Sequence, residues 1–576
     1  MTMLTRVMLF LAAMVAFTAP ARAHPQGPAI PAEEGCRTLE GDRFANLPNV
    51  PTHIVKATFR PAAAGKRAAC LVEGYVNPTV NFAILLPAAD WNGRYVVRGC
   101  GGSCGIVAVD LACSGHVRDG YACLHTDMGH RSTLSDNNWV AGNLQGLVDF
   151  GYRATHVTTA AGRAIIKAFY GSDPRYSYFF ACSTGGRQGL IEAQRFPDDF
   201  DGIVAIAPAS MAPFGRNKPP TITEVDAFNL DAAGRPILPN RKALLIHRAA
   251  IRRCDRADGL LDGVISKPLA CGFKPAELLC NTADSRDCLT AEQVGVADKL
   301  YRLRGAQPGS EFNWIGNFLR NASLPGEASI PLFDLGVGRG DPVVVETLNA
   351  PNNPDLRPFR DRGGKLILVH GWSDFSVMPP PTIDYYETVT RTMGGPAATA
   401  RFARLYMVPG MDHCSGGDGA YAIDYLGAIT RWAEKGEAPA ALRGVKPVPG
   451  APLDYFSVDL PLMDRKYIAF ERDHRAWPGD SVAVGGRPAV ASPQAPQPLD
   501  QALLTTVRSA EKTGTAAGFP RRTTLNLMLK SLWETLYRAD QGAATQTAAL
   551  AAVPVDGLSP LAREAIARMQ AELRLD

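Results

Sequence analysis

Ser183 stands in the run Ala181-Cys182-Ser183-Thr184-Gly185-Gly186, directly after the apolar stretch RYSYFFA and directly before the helix-like GRQGLIEAQRFP. A serine on a sharp strand-to-helix turn is exposed for nucleophilic attack, and its neighbours must be small because the turn is strained and crowded. The pattern is A-x-S-x-G, one methyl group away from G-x-S-x-G. The same residues also read as a Ser-Thr-Gly-Gly loop that does no more than cap a helix.

Two later residues complete a chemistry. Asp374 follows the strand-like KLILVHGW, and His413 follows the strand-like RLYMVP. The chain order Ser, Asp, His is that of α/β-hydrolases. In it His413 takes the serine proton as general base, while Asp374 fixes the imidazole tautomer and stabilises its protonated form. The bland readings are a solvated turn aspartate and a helix-capping histidine. Asp412 is a poor orienter because adjacent side chains diverge, and Asp361 precedes its strand. Among the ten histidines, His125 and His130 in HTDMGH compete but lie upstream of the serine. Cys182 precedes Ser183 and Cys414 follows His413, so a serine and histidine within hydrogen-bond reach would bring these cysteines to the roughly 4.4–6.8 Å Cα separation of a disulfide. A Cys182 thiol nucleophile is disfavoured, since its side chain points away from any pocket that receives Ser183.

These residues need strands to present them. From 80 to 210 short apolar runs (NFAILLP, RYVVRG, RYSYFFA, GIVAIAPAS) alternate with helix-like segments such as THVTTAAGRAIIKAFYG, the pattern of βαβ units on a mainly parallel sheet. From about 211 to 350 the pattern breaks into Pro-, Gly- and Cys-containing stretches, then resumes, which predicts an insertion splitting one α/β domain. The tail from about 499 carries helix-like runs without strand signals. The 576 residues are 46% hydrophobic and 20% charged with a net charge of +4, which excludes a disordered, collagenous or polybasic chain. No basic footprint for nucleic acid is present. Met1 to Ala23 has a charged start, the apolar VMLFLAAMVAF and a small-x-small end, which predicts a secretory signal peptide. The apolar run is too short to span a bilayer, so the expectation is a soluble exported protein, periplasmic or secreted, with no membrane partner. All 12 cysteines lie beyond this segment and no paired CxxC motifs occur, so disulfides are expected rather than metal thiolates.

At this level of detail the chain resembles the tannase and feruloyl esterase family, which also takes in mono(hydroxyethyl) terephthalate hydrolase. The resemblance rests on Cys182-Ser183, Asp374 and His413-Cys414, with WNGR at 91–94, HTDMGH at 125–130, DFGYRATHVTTAAGRAIIKAFYG at 149–171, CSTGGRQGL at 182–190 and DYYETV at 384–389, and it covers roughly 36–450. It implies an α/β-hydrolase core (24–210 and 351–450) with a lid domain at 211–350 inserted into it, whereas the C-terminal region at 451–576, helix-rich from about 499, departs from the family. The implied activity is hydrolysis of small aromatic-acid esters through a Ser183 acyl-enzyme. The resemblance further implies an oxyanion hole from the Thr184 N–H and from Gly101 or Gly102, in a glycine-rich loop that here carries two additional cysteines, Cys100 and Cys104.

Asp255, Asp258 and Asp262 are spaced by three and four residues, with glycine after the last two. Taken alone they read as an acidic turn, and the spacing is not that of an EF-hand. The resemblance implies a structural Ca²⁺ held by these carboxylates and by the Leu260 and Val264 carbonyls, with nothing in the sequence placing the loop beside the serine. It also implies Cys254–Cys271 and Cys280–Cys288 bridges. For Cys70 it offers Cys36 in one branch and Cys123 in another, and it leaves Cys100, Cys104 and Cys113 without counterparts. Two further readings share these residues: a catalytically silent binding protein on the same fold, and an acyltransferase or peptidase using the same triad. Neither the resemblance nor the residues fix an oligomeric state.

Overall fold

The computed structural model describes residues 31–132, 138–209, 228–233, 235–258, 261, 263–281, 286–304, 306–311, 314, 348–447, 462–469, 498–516, 521–538 and 543–574. The segment expected to direct export lies outside them. Among the described residues no helix is long and apolar enough to cross a membrane.

Nine strands form one sheet: β1 (Thr52–Arg60), β2 (Ala69–Val76), β3 (Val80–Pro87), β4 (Arg94–Arg98), β5 (Ala122–Thr126), β6 (Tyr176–Cys182), β7 (Gly202–Ile206), β8 (Lys365–Gly371) and β9 (Ala403–Val408). Their order is β1-β2-β3-β5-β4-β6-β7-β8-β9. The pairs among β1, β2, β3 and β5 are antiparallel, and every pair from β5 through β4 to β9 is parallel. Parallel strands are covered on both faces, which is why β6 and β7 read as unbroken apolar runs. Side chains alternate between the two faces: Phe179 and Ala181 join a core with the helices Ala154–Tyr170 and Pro379–Thr392, while Tyr178 and Phe180 join a core with the helices Val109–Arg118 and Tyr425–Lys435. The alternation is the period-2 geometry of any strand. A separate antiparallel sheet joins Ala422–Ile423, Ala441–Pro447 and Leu462–Ala469.

The insertion runs between β7 and β8 and includes the helices Asn240–Cys254 and Ala291–Arg304. The expected C-terminal helices are present as Leu499–Ala516, Arg521–Arg538, Ala543–Ala551 and Pro560–Arg574. Leu525, Met528, Leu529, Leu532, Trp533 and Leu536 recur at helical spacing and form one buried stripe. That stripe belongs to the same apolar core as Ile246, Ala250, Val296, Leu300 and Trp314 of the insertion, together with Phe375 and Met378. The tail and the insertion therefore share a core distinct from the two that flank the sheet.

All 12 cysteines pair. The bridges Cys182–Cys414, Cys254–Cys271 and Cys280–Cys288 are those expected. Cys70 joins Cys36 rather than Cys123, which instead joins Cys113 across the contact between β5 and the helix Val109–Arg118. Cys100 and Cys104 close the glycine-rich loop on itself.

Candidate active site

Ser183 follows the last residue of β6, at the carboxyl edge of the sheet where open α/β folds hold their ligands. Its backbone has φ 64° and ψ −123°, a left-handed conformation that a non-glycine residue adopts only under constraint. The constraint is visible. The Ser183 N–H donates to the Ile206 carbonyl at 2.9 Å, and its own carbonyl accepts from Arg187 and Ala209, each at 3.0 Å. The small neighbours are enforced by contact: a Cβ at Gly185 would sit 2.4 Å from the Ala181 Cβ, and one at Gly186 would sit 2.3 Å from the Ile206 carbonyl oxygen. The methyl group of Ala181, where this chain departs from G-x-S-x-G, fits because Gly99 stands opposite it, where any Cβ would lie 2.7 Å from that methyl.

Asp374 and His413 come from the loops after β8 and β9, and they meet. The His413 Nδ1 lies 2.7 Å from the Asp374 Oδ2. A carboxylate only accepts, so the hydrogen is on Nδ1 and the lone pair that a general base requires is on Nε2. Oδ1 of the same carboxylate accepts the Ser376 and Val377 N–H groups, each at 2.9 Å. Asp374 is buried, which by itself would raise its pKa. The charge of His413 and hydrogen bonds from His370 and His413 outweigh burial and hold the carboxyl below the usual carboxylate range. Ser183 and His413 are joined through their neighbours: the Cys182–Cys414 disulfide has a Cα separation of 5.8 Å, and a ring nitrogen of His413 lies within 4.8 Å of both sulfurs.

The competing residues have other work. Asp412 accepts the N–H of His413 at 2.7 Å and so shapes its own loop. Asp361 ends a short helix ahead of β8 and pairs with its neighbour Arg360. His125 accepts the Ala108 N–H at 3.2 Å, and the His130 Nε2 donates to the Ser103 carbonyl at 2.7 Å, with its ring stacked on Trp139. Burial pushes both imidazoles down to about 4, so both are neutral at physiological pH. HTDMGH is thus a buttress of the glycine-rich loop.

That loop sits against the start of the nucleophile helix Thr184–Arg195. The Thr184 hydroxyl donates to the Gly102 carbonyl at 2.7 Å. The Gln188 side-chain carbonyl accepts from the Cys100 N–H at 3.4 Å, and its amide lies 3.0 Å from the Cys100 sulfur. Among the described residues the N–H groups of Gly101, Gly102 and Thr184 find no protein acceptor. Three donors free of protein partners beside a strained serine are the raw material of an oxyanion site.

His370 and Gln188 escaped the sequence reading. The His370 Nε2 donates to the Val377 carbonyl at 2.7 Å, lies 3.3 Å from the Asp374 Oδ2, and thereby braces the carboxylate from behind. Its spacing four residues before Asp374 was the available signal, masked by its place inside an apolar strand.

Of the expected cation ligands, Asp255 and Val264 are described and buried, whereas Leu260, Asp262 and the Asp258 side chain lie outside the described residues. The Gly263 N–H points at both Asp255 oxygens at 3.2 Å, and Gly263 has φ 77°, so the chain curls back onto this carboxylate. A buried carboxylate inside a curled loop is donor chemistry that suits a hard cation. Val264 packs beside the base loop: a Cβ at Gly410, three residues before His413, would lie 3.0 Å from a Val264 methyl.

The Cys182–Cys414 bridge closes a separation of 232 residues. Replacing both cysteines by alanine should lower unfolding free energy by up to about 5 kcal/mol on the chain-entropy argument, less where the remaining bridges already restrict the unfolded chain. Urea unfolding of the double variant measures it, and an unchanged midpoint would refute the expectation.

A sequence model of the family described as tannase and feruloyl esterase matches residues 65–312 and 342–455. An uncharacterized esterase of Xanthomonas campestris is 33% identical over 71% of this chain and 83% of its own length. Mono(2-hydroxyethyl) terephthalate hydrolase of Piscinibacter sakaiensis is 30% identical over 73% of this chain and 86% of its own. The crystal structure of feruloyl esterase B from Aspergillus oryzae superimposes with a TM-score of 0.62 at 25% identity, covering 76% of this chain and 95% of that one.

Proposed function

Because the chain belongs to the tannase and feruloyl esterase family and is a carboxylic ester hydrolase, we propose that it works as a serine esterase through Ser183, His413 and Asp374, with small aromatic-acid esters such as gallates or ferulates as substrates. The Asp374–His413 hydrogen bond, stapled through Cys414 to the strained Ser183 turn, is the observation that carries this reading. His413 Nε2 removes the Ser183 proton as Oγ attacks the ester carbonyl. The oxyanion forms against the N–H groups of Thr184 and of Gly101 or Gly102. His413 then gives its proton to the departing alcohol, leaving an acyl-serine. Water attacks this acyl group with His413 again as base, releasing the carboxylic acid and restoring the serine. Asp374 stays charged and holds the ring throughout.

The test is hydrolysis of methyl gallate, methyl ferulate and p-nitrophenyl acetate, with an amide analogue as contrast, by the protein and by its Ser183→Ala variant. Turnover of the aromatic esters that vanishes in the variant supports the proposal. Equal inactivity of both folded proteins on every ester would sink it in favour of a silent binding protein.

We further propose that the insertion acts as a lid and that Ca²⁺ occupies its acidic loop, held by Asp255, Asp258 and Asp262 with the Leu260 and Val264 carbonyls. The ion would neutralise these carboxylates and cross-link the loop. Chelation should then lower Tm by a few degrees, the effect of losing about 3 kcal/mol of linked binding, and added Ca²⁺ should restore it. A Tm indifferent to chelator in wild type and in Asp255→Ala alike would remove the cation. Export is proposed from the sequence of residues 1–23, and six disulfides support an oxidising compartment.

A further inference from the structure

The insertion grips both loops that carry the acid and the base. On the acid loop it touches the residues on either side of Asp374: the Ser373 hydroxyl donates to the Gly309 carbonyl at 3.1 Å, and the Phe375 ring packs 6.2 Å from that of Trp314. On the base loop the contact is ionic. His247, in the helix Asn240–Cys254, places Nδ1 3.0 Å from the Glu311 Oε2 and Nε2 3.5 Å from the Asp418 Oδ2. His247 and Glu311 are essentially inaccessible to water. Glu311 is fixed in turn by the Gly309 N–H at 2.9 Å and by the Tyr301 hydroxyl.

Asp418 is well placed to pass this restraint to His413. His413 lies in the turn of one tight hairpin and Asp418 on its returning leg, the two legs crossed by a Met411–Gly417 bridge and by the Gly419 N–H donating to the Gly410 carbonyl at 3.0 Å. The hairpin has no slack: a Cβ at Gly419 would lie 1.8 Å from the Pro409 carbonyl oxygen, and one at Gly417 would lie 2.2 Å from that of Gly410. The acid and base loops are also laced together, with the Ser373 N–H donating to the Met411 carbonyl at 3.0 Å. Burial disfavours charge on His247, but Asp418 and Glu311 outweigh it and push its pKa up to about 9, so near neutral pH His247 is a cation held between them.

We propose that His247, clamped between Glu311 and Asp418, is a positioning residue for ester hydrolysis, tying the insertion to the loops that carry Asp374 and His413 so that these hold one arrangement. The proposal rests on the Ser183–Asp374–His413 reading. A misplacement of about 1 Å in a reacting group costs up to about a hundredfold in rate, so a tether of this kind should show in kcat.

The experiment measures kcat and KM for p-nitrophenyl acetate and methyl ferulate in His247→Gln, Asp418→Asn and Asp418→Glu, with Tm and circular dichroism recorded for each. The expected result is a kcat about ten- to a hundredfold lower for both esters in His247→Gln and Asp418→Asn, with KM within about threefold of wild type and much of the loss recovered in Asp418→Glu. If His247→Gln does not fold, Asp418→Asn carries the test, since that side chain is 20% exposed. Wild-type kcat for both esters in folded variants, or a change confined to the KM of methyl ferulate, overturns the proposal. Ser183→Ala run alongside separates the two claims: if it keeps wild-type turnover, the site reading fails independently of the tether.

Discussion

Ser183→Ala should lower kcat on p-nitrophenyl acetate by about 10⁴- to 10⁶-fold while leaving Tm within about two degrees of wild type. The substitution deletes only the attacking oxygen. Alanine meets the same φ of 64° as serine, so no new backbone strain is introduced, and the Ile206, Arg187 and Ala209 hydrogen bonds to the turn use main-chain atoms that the change does not touch. The residual rate reports what the free N–H groups of Thr184, Gly101 and Gly102 achieve with water as nucleophile. A loss of less than tenfold would show that the strained serine does not form the acyl-enzyme.

Asp374→Asn should cost about 10⁴-fold in kcat with a smaller change in KM. The Oδ1 position must remain an acceptor for the Ser376 and Val377 N–H groups, which leaves the amide nitrogen facing His413 and His370. An amide there donates to His413 Nδ1 and forces the ring hydrogen onto Nε2, the tautomer that cannot accept the serine proton. The same carboxylate bears on acid stability. Its folded pKa lies below the ordinary value near 4, so its ionisation stabilises the fold above that pH, and the contribution drains away as pH falls below it. Urea midpoints of wild type and Asp374→Asn should therefore converge on acidification. Midpoints that stay parallel down to pH 2 would remove Asp374 from the acid response.

The parts legible in the sequence were those that local pattern encodes. Ser183, Asp374 and His413 each follow an apolar run that can only be a strand, and Cys182 and Cys414 declared a contact because they flank two residues that had to meet. What local pattern does not encode stayed hidden. HTDMGH read as a rival catalytic motif because histidines that hold backbone carbonyls look no different, in a string of letters, from histidines that move protons. His370 went unnoticed inside the apolar run of β8, where it is fully buried. The Cys70 partner could not be chosen because the sequence does not say which face of the sheet each cysteine takes: Cys70 shares one core with Cys36, while Cys123 points with Cys113 into the core on the other face. The helix-like runs of the tail were evident, but not the surface they cover, which includes Ile246, Val296 and Trp314 of the insertion and Phe375 and Met378 of the acid loop.

That shared core bears on how members of this family can be recombined. The family match ends at residue 455, whereas the apolar interior of the insertion is completed by helices between 499 and 574. The insertion moved without the helices of 499–574 would arrive with the side that they cover open to water, and those helices without the insertion would leave Trp533 and its neighbours exposed. The insertion and the chain terminus form a single inheritable module, divided in sequence by the strands that carry the acid and the base.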